Sequence, residues 1–436
     1  MRSAKNLCLF GVATILSVMS PAYSVAQSQA GGEPSAIIAK GENLSLQKCV
    51  EIALERQPAI RAAANSRVAA ESRVGEAKAG YYPQINLSGV YTQARPMPAS
   101  PGFPRYQSYQ QYSANATLSQ TIFDFGKTPA LVDAQKYGAE AAGYDEENAR
   151  NSIVYGVNVA YYSYLQSRRN VAVGRETVSQ FKNHLDVARS SFEVGTRPRY
   201  DVTKAEVDLS NAKLALIHAE NYQRLAKLNL DNAMGVSADY DIVDDLSFQK
   251  VGISAEDAVI KAIQNRPDLR ALEARTNAAE ESVEAAKSGY YPSLSGSAQY
   301  SVGDSLPDGW NVGLTLTVPF FSGFSTVYTV RESRANREVL SSNAEQLRLS
   351  VYNDVQQAYL SMMEAEEKIP SAELSVKLAR ENMEIAEGRY KEGVGTPIEV
   401  TDAQVTFSNA RTAQIQSLVD YKLSRAALEK AIGGKQ

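Results

Sequence analysis

Two copies of one unit make up the chain, and this repeat constrains the fold more than any other feature. The segment Gly80-Tyr81-Tyr82-Pro83 recurs as Gly289-Tyr290-Tyr291-Pro292. Further along, Val194-Gly195-Thr196 recurs as Val394-Gly395-Thr396. A repeat with such a long period indicates that each copy folds into the same order of elements. We therefore expect a first structural repeat over residues 27–235 and a second over residues 236–436.

The N-terminus has the three parts of a secretory signal peptide. Arg2 and Lys5 form the positive region, Leu7 to Met19 is the apolar stretch, and Ser24-Val25-Ala26 offers small residues for cleavage. We expect residues 1–26 to be removed and the rest of the chain to be exported. An uncleaved membrane anchor is the alternative, but the apolar run is short for a helix that crosses a bilayer.

Each copy then changes from a helical pattern to a period of two. Leu46 to Lys78 has few helix breakers and predicts one helix that ends at the Gly-Tyr-Tyr-Pro segment. Two alternating segments follow in each copy, with Ile85, Leu87 and Tyr91 on the apolar side of the first. Four strands of roughly ten residues, each with a small-polar and an apolar-aromatic face, are typical of a membrane β-barrel. A half-buried soluble sheet would alternate in the same way and remains the alternative.

Long helical segments follow the second strand of each copy. No proline interrupts the chain between Pro129 and Glu193, and apolar or small residues recur there at steps of four and three. This is the spacing of a coiled coil, and ~65 helical residues would form a rod on the order of 100 Å long. A returning helix with the same spacing begins near Val202. In the second copy, we expect Pro370 to kink or interrupt the long helix.

The four strands cannot close a barrel within one chain. An open sheet in a bilayer would leave the N–H and C=O groups of its edges without partners, at a cost of several kcal/mol per group. The chain must therefore oligomerise if its strands enter a membrane. A dimer would supply eight strands, which fill such a barrel with their own side chains, whereas the twelve strands of a trimer would leave an aqueous lumen.

The order of these motifs, present twice, resembles the TolC-like outer membrane efflux protein family. The resemblance rests on Gly-Tyr-Tyr-Pro before a strand pair, on Phe123-Asp124-Phe125-Gly126 at the start of the long helix, and on Val-Gly-Thr before the returning helix. It covers approximately Leu44 to Gly433 and implies a mainly α protomer with a membrane β-barrel part. Three protomers would form a homotrimer with a 12-stranded barrel in the outer membrane and an α-helical tunnel in the periplasm. A small belt around the tunnel would come from residues near 27–43 and the equatorial segment 236–252.

The function that the resemblance implies is that of a passive exit duct in a tripartite efflux or type I secretion system. Its partners would be outer membrane lipid, a periplasmic adaptor protein and an inner-membrane exporter. The adaptor and the exporter would open a tip that is closed at rest. A soluble periplasmic coiled-coil scaffold without a pore is the competing hypothesis. The alternating segments with Tyr and Trp on their apolar side argue against that scaffold.

The resemblance also assigns candidate site residues. Glu399 and Asp402 would ring the channel constriction, and Asp201 would help to lock the closed tip, with Tyr390 as a possible partner. The adaptor-contacting tip turns would be formed by Val194, Gly195, Thr196, Arg197, Val394, Gly395 and Thr396. The membrane-interface aromatics would be Tyr81, Tyr82, Tyr290, Tyr291 and Trp310.

Two features of this tip leave its interpretation open. The second turn is predicted to be two residues shorter than is usual in the family and has no Arg before Glu399, so the basic partner of the lock would be missing or supplied by Arg197 or Arg199. Asp201 and Glu399 each begin a helix, where the helix dipole favours a carboxylate. A plain helix-start role is therefore the alternative for both acids.

Composition and motifs argue against nucleic-acid binding and against catalysis. The formal net charge is −4, and no basic patch interrupts the balanced charges. His184 and His218 lie in helices that carry the coiled-coil spacing, with no metal-ligand pattern around them. We find no catalytic triad, phosphate-binding loop or zinc motif, and we expect no enzyme activity, no cofactor and no metal site.

Overall fold

The computed structural model describes residues 38, 41–94, 109–250, 252–304 and 308–434. The predicted signal peptide and most of the proline-rich loop that follows the first strand lie outside this range. The helices are α1 Leu46–Arg56, α2 Pro58–Lys78, α3 Lys127–Glu193, α4 Arg199–Met234, α5 Ala255–Asn265, α6 Pro267–Lys287, α7 Ser325–Lys391 and α8 Pro397–Ala431. The strands are β1 Asn43–Leu44, β2 Gln84–Ala94, β3 Tyr109–Phe123, β4 Asp241–Ile242, β5 Ser293–Gly303 and β6 Gly309–Thr317. The predicted mainly α protomer with four long strands and long helices is confirmed.

The prediction of a single helix from Leu46 to Lys78 is wrong, because the segment breaks in two before Pro58. Gln57 is extended (φ −62°, ψ 122°), and Pro58 occupies the first position of α2. Proline lacks an N–H group and disfavours helical backbone in the residue before it, so α1 ends there. The same break separates α5 from α6 at Pro267. The side-chain amide of Gln57 connects this break to the end of α4, because it donates to the carbonyls of Asn232 and Ala233 at 2.6 and 2.7 Å.

Pro370 does not interrupt the second long helix. Helix α7 runs from Ser325 to Lys391 with Pro370 inside it, and both long helices have 67 residues. Pro370 lies on the exposed side of the helix, where solvent can bind the backbone carbonyl that loses its donor. The predicted interruption is therefore wrong, and the second copy keeps a rod as long as that of the first.

The four long strands form one antiparallel sheet in the order β2-β3-β5-β6. Residues directly opposite each other share a face, and one such row is Leu87, Ala116, Tyr300 and Trp310. The next row is polar and contains Asn86, Thr117, Gln299 and Asn311. The predicted alternation is thus correct in all four strands. Both faces of β2 and of β6 are exposed, so this sheet is not the half-buried sheet of a soluble core.

The long helices pack as two antiparallel pairs, α3 with α4 and α7 with α8, and α3 also lies against α6 and α8. Most of the predicted coiled-coil positions face the packed side: Val157, Ala160, Leu185, Ala188 and Ala205 are all buried, although the predicted position Phe192, near the turn, is exposed. The parallel pair of β1 and β4 packs on α3, where buried Tyr161 donates to the carbonyl of Val243 at 2.7 Å. None of the helices in the described residues has an apolar stretch long enough to cross a membrane.

Candidate functional site

The two turns that join the paired helices have the same length and geometry. Residues 194–198 separate α3 from α4, and residues 392–396 separate α7 from α8. The left-handed glycine that ends the first helix is Gly195 in one copy and Gly393 in the other (φ 77° and 81°). The predicted two-residue shortening of the second turn is therefore wrong. The two Val-Gly-Thr segments are alike in sequence but stand two residues apart in structural register.

This shift gives Gly395 and Thr396 different tasks from Gly195 and Thr196. The Thr396 side chain caps α8 by accepting from the backbone N–H of Glu399 at 3.3 Å. Thr196 instead donates its hydroxyl to the carbonyl of Ser191 at 2.9 Å, at the end of α3. Gly395 lies against the last turn of α7, so close that an added Cβ would be 2.8 Å from the nitrogen of Tyr390.

Asp201 and Tyr390 meet in the packed region just above the turns, as predicted. The Tyr390 hydroxyl donates to Asp201 Oδ2 at 3.4 Å, and the two residues are 4% and 3% exposed. Burial and the nearby Asp201 carboxylate raise the pKa of the Tyr390 phenol. Asp201 thus links α4 of the first pair to α7 of the second, beyond its position at a helix start.

Of the two candidate basic partners, Arg197 is the one that the structure places beside the Asp201–Tyr390 contact. Its guanidinium carbon lies 4.7 Å from the centre of the Tyr390 ring. The same group donates from Nη2 to the carbonyls of Tyr390 and Gly395, at 3.2 and 3.1 Å. Arg197 therefore crosses from the first turn to the second and holds the two turns together.

Glu399 and Asp402 lie on the exposed side of the first turns of α8, close enough in sequence to share a face. The sequence reasoning missed a cation beside them. Arg389 Nε lies 3.6 Å from Glu399 Oε2, and both side chains are about half exposed. A pair this exposed contributes little stability, but it places a positive charge beside the predicted constriction. Only the fold reveals the pair, because Arg389 belongs to the last turns of α7.

A second polar link between the helix pairs was also missed. Asp208 of α4 is buried and accepts from the hydroxyl of Thr401 on α8 at 2.8 Å. Lys204, one turn earlier in α4, donates to the same carboxylate at 2.6 Å. The spacing of Lys204 and Asp208 is visible in the sequence, but it is equally typical of a solvated helix surface. The interface between the two helix pairs (the joint) thus contains two buried carboxylates, Asp201 and Asp208. Each of them accepts a hydrogen bond from a residue of the other pair.

Exposed aromatic residues flank both ends of the sheet. Tyr81, Tyr82, Tyr290 and Tyr291 lie just before β2 and β5, while Trp310 lies opposite Tyr300 near the other end. The sequence reasoning missed further members at the helical end, where Phe125 stacks on Tyr291 with ring centres 5.4 Å apart. The others there are the exposed Phe123, Phe320, Phe321 and Phe324.

The glycine of each Gly-Tyr-Tyr-Pro segment has a packing role. A Cβ on Gly80 would lie 3.1 Å from the methyl group of Thr128, and one on Gly289 would lie 3.1 Å from that of Thr326. These threonines stand in the first turns of α3 and α7. The glycines therefore let the end of the short helix approach the start of the long helix, in the same way in both copies.

Comparisons with known proteins agree with this architecture. The sequence model described as "Outer membrane efflux protein" matches residues 49–236 and 258–434. The chain is 22% identical to a probable efflux pump outer membrane protein, TtgC of Pseudomonas putida, over 89% of this chain and 83% of the relative. It is 24% identical to the outer membrane protein TolC of Escherichia coli, over 86% of this chain and 79% of TolC.

A solved structure has the same fold. The CmeC outer membrane channel of Campylobacter jejuni superposes with a TM-score of 0.79 at 20% identity, covering 89% of this chain and 85% of that one. The matches confirm the predicted location in the outer membrane and give no support to a soluble scaffold. The chain belongs to the outer membrane efflux protein family.

Proposed function

We propose that three copies of this chain form a passive duct, opened by a periplasmic adaptor and an inner-membrane exporter in an efflux or type I secretion system. The observation that carries the proposal is the four-stranded sheet with both faces exposed. One face carries exposed apolar side chains that include Ile85, Leu87, Val312 and Leu314. An exposed apolar face with aromatic residues at both ends fits contact with lipid.

Trimerisation follows from the edges of this sheet. Strands β2 and β6 are the two outer strands and have no further partner among the described residues. Pairing β6 of one protomer with β2 of the next would satisfy their backbone groups and close a barrel of twelve strands. The polar row that contains Asn86, Thr117 and Gln299 would then line a wide aqueous lumen.

The tip turns lie at the opposite end of the long helices from the sheet and would form the entrance to the duct. We propose that Glu399 and Asp402 surround the threefold axis there, which would bring six carboxylates close together. Six carboxylates grouped around one axis attract cations into a narrow passage. Arg389, 3.6 Å from Glu399, would offset part of this charge, so Asp402 would dominate the selectivity. The turns with Val194 and Val394, both exposed, would be the surface that the adaptor contacts.

Single-channel recording in planar bilayers tests this assignment. Glu399→Ala with Asp402→Ala should abolish the preference for cations and the block by divalent ions, while the protein still forms trimers. Arg389→Ala should change selectivity in the opposite direction, because it removes a positive charge from the same place. The matched control is Glu193→Ala with Glu392→Ala, which removes two exposed acids from the helix ends beside the turns.

The outcomes separate the two roles of these acids. Selectivity that is unchanged in the Glu399 and Asp402 double variant would mean that they act only as helix-start residues. An equal loss in the control variant would mean that the overall charge of the tip, and not a ring at the axis, attracts cations. Absence of any conductance from the wild-type protein would contradict the duct itself.

A further inference from the structure

A cavity between the two helix pairs lies directly beside the Asp201–Tyr390 lock. It measures about 250 Å³ and separates α3 from α7 and α8 near the turns. Its lining includes Gln180 and His184 from α3, Glu387 and Tyr390 from α7, and Gln404 from α8. The cavity therefore occupies the joint that has to change if the two pairs move apart.

Three polar atoms in this lining have no hydrogen-bond partner among the described residues. They are His184 Nε2, Gln180 Oε1 and Gln404 Oε1. His184 and Gln404 are almost completely buried, at 6% and 1% exposure. Buried polar groups without partners are rare and costly, and a titratable one that faces a cavity marks a place where the joint can respond to solution conditions.

The surroundings of His184 hold more acids than bases. Helix α4 contributes Asp201, Asp208 and Lys204, whose charges act on the imidazole. Helix α7 contributes Glu387, Tyr390 and Lys391 to the cavity wall. The cavity residues of α8, Val400 and Gln404, are not titratable, nor are the other α3 residues in the wall, Gln180, Asn183 and Val187.

Desolvation outweighs these acids. Burial lowers the pKa of His184, although the charges of Asp208, Glu387 and Asp201 act in the opposite direction. The Tyr390 ring, 4.9 Å from the imidazole, could stabilise a charged His184, but the Arg197 guanidinium already occupies a position 4.7 Å from that ring. A second cation beside the same ring would face repulsion from the first. The packed joint therefore favours neutral His184.

We propose that His184 is a proton-sensitive switch of the tip, whose protonation weakens the joint between α3 and the α7–α8 pair and favours the open state. The proposal rests on the duct function proposed above. In the packed joint the pKa of His184 is depressed, whereas in a joint that has opened the solvated side chain would return towards its ordinary value of about 6.5. Protons therefore bind the open state more tightly. The closed state is therefore fully favoured above about pH 6.5. Below that pH, the equilibrium constant for closure falls by at most about tenfold per pH unit for each protomer.

Histidine titration tests directly whether the packed joint lowers the pKa of His184. The predicted mature chain has only His184 and His218, so ¹⁵N-histidine labelling of the trimer in liposomes gives two sets of imidazole signals. His218→Gln assigns them. His218 is exposed on α4 and supplies the reference signal, and His184 should titrate below the ordinary range of histidine. Equal titration of the two histidines would overturn the proposal, and this measurement does not require any His184 variant to fold.

Distances across the joint test whether protonation of His184 opens it. Spin labels at the exposed positions Lys182 on α3 and Glu384 on α7, introduced as cysteines in a Cys49→Ala background, should move apart between pH 8 and pH 5. His184→Gln, which keeps hydrogen-bonding capacity but cannot titrate, should abolish this change, whereas His218→Gln should retain it. A pH response that is absent in the wild type or unaltered in His184→Gln would overturn the switch.

Conductance of the same preparations in bilayers separates this proposal from the duct function. Protein that conducts ions but shows no His184-dependent movement would contradict the switch alone. Protein that moves with pH but never conducts would contradict the duct, while the coupling between His184 and the joint would stand.

Discussion

Gly395 shows how the absence of one side chain shapes the tip. An added Cβ would lie 2.8 Å from the nitrogen of Tyr390 and 3.0 Å from the carbonyl carbon of Arg389, and backbone atoms of a helix end cannot easily move away. Arg197 also donates to the Gly395 carbonyl, so a displaced turn would lose this contact between the two turns. The small residue thus lets the second turn pack against the end of α7, beside the Asp201–Tyr390 contact.

Gly395→Ala should therefore destabilise the tip by about 1–3 kcal/mol, the usual cost of forcing extra atoms into packed structure. Hydrogen exchange of the backbone amides in residues 392–396 would report the loss as faster exchange. The matched control is Gly388→Ala, an exposed position in the last turns of α7, where the added Cβ would have no described atom within 4 Å other than those of its chain neighbours and its own helix backbone. That change should stabilise the helix by about 0.5–1 kcal/mol. Equal exchange in Gly395→Ala and wild type would contradict this reading of the turn.

The sequence predicted one contact of the site and missed others for a physical reason. The resemblance to the family offered Tyr390 as a partner of Asp201, and the two residues do meet. Arg389 and Asp208 look like ordinary charges on a solvated helix, and the sequence does not say which helix surfaces face each other. The helix register decides this, and here the Val-Gly-Thr echo was misleading, because its two occurrences stand two residues apart in the structure.

At the level of elements, hydrophobic period was a better guide than local propensity. The period of two placed Leu87 and Trp310 on one face of the sheet, and the register of the strands confirms this. Prolines were harder to interpret. Pro58 ends a helix where the sequence was expected to continue one, and Pro370 lies within an unbroken helix. At Pro58 the preceding Gln57 bonds to the end of α4, whereas Pro370 lies on an exposed side of its helix, and a local pattern contains neither fact.

The two faces of β6 give a prediction with neighbouring positions as matched controls. Leu314 lies opposite Gly296 on the apolar face and is 72% exposed in the single chain, while Thr315 lies opposite Ser295 on the polar face. Leu314→Arg should cost roughly 2–4 kcal/mol if the residue is near the bilayer midplane. Thr315→Arg should be tolerated, because its side chain would point into water. Unfolding by guanidinium in lipid vesicles measures both, and equal tolerance would reject the proposed lipid-facing side.

For the whole molecule, the repeat determined most of what the sequence could predict. Two copies with one order of elements gave the four-stranded sheet and the two pairs of long helices, and the structure confirms both. Assembly is a different matter. The edges of β2 and β6 require partners, but how many protomers close the ring depends on strand tilt and stagger. These belong to the barrel and not to the single chain.

The number of protomers is therefore the most direct test of the account. Crosslinking of the purified, detergent-solubilised protein should give a ladder that ends at three. A closed ring satisfies both edges of every four-stranded sheet, and the twelve strands of a trimer leave an aqueous lumen that the eight strands of a dimer would not. Denaturation before crosslinking is the control, and the denatured sample should contain only monomers. A stable, dispersed monomer whose β-sheet remains intact in detergent would contradict the central claim that this chain is one third of a membrane duct.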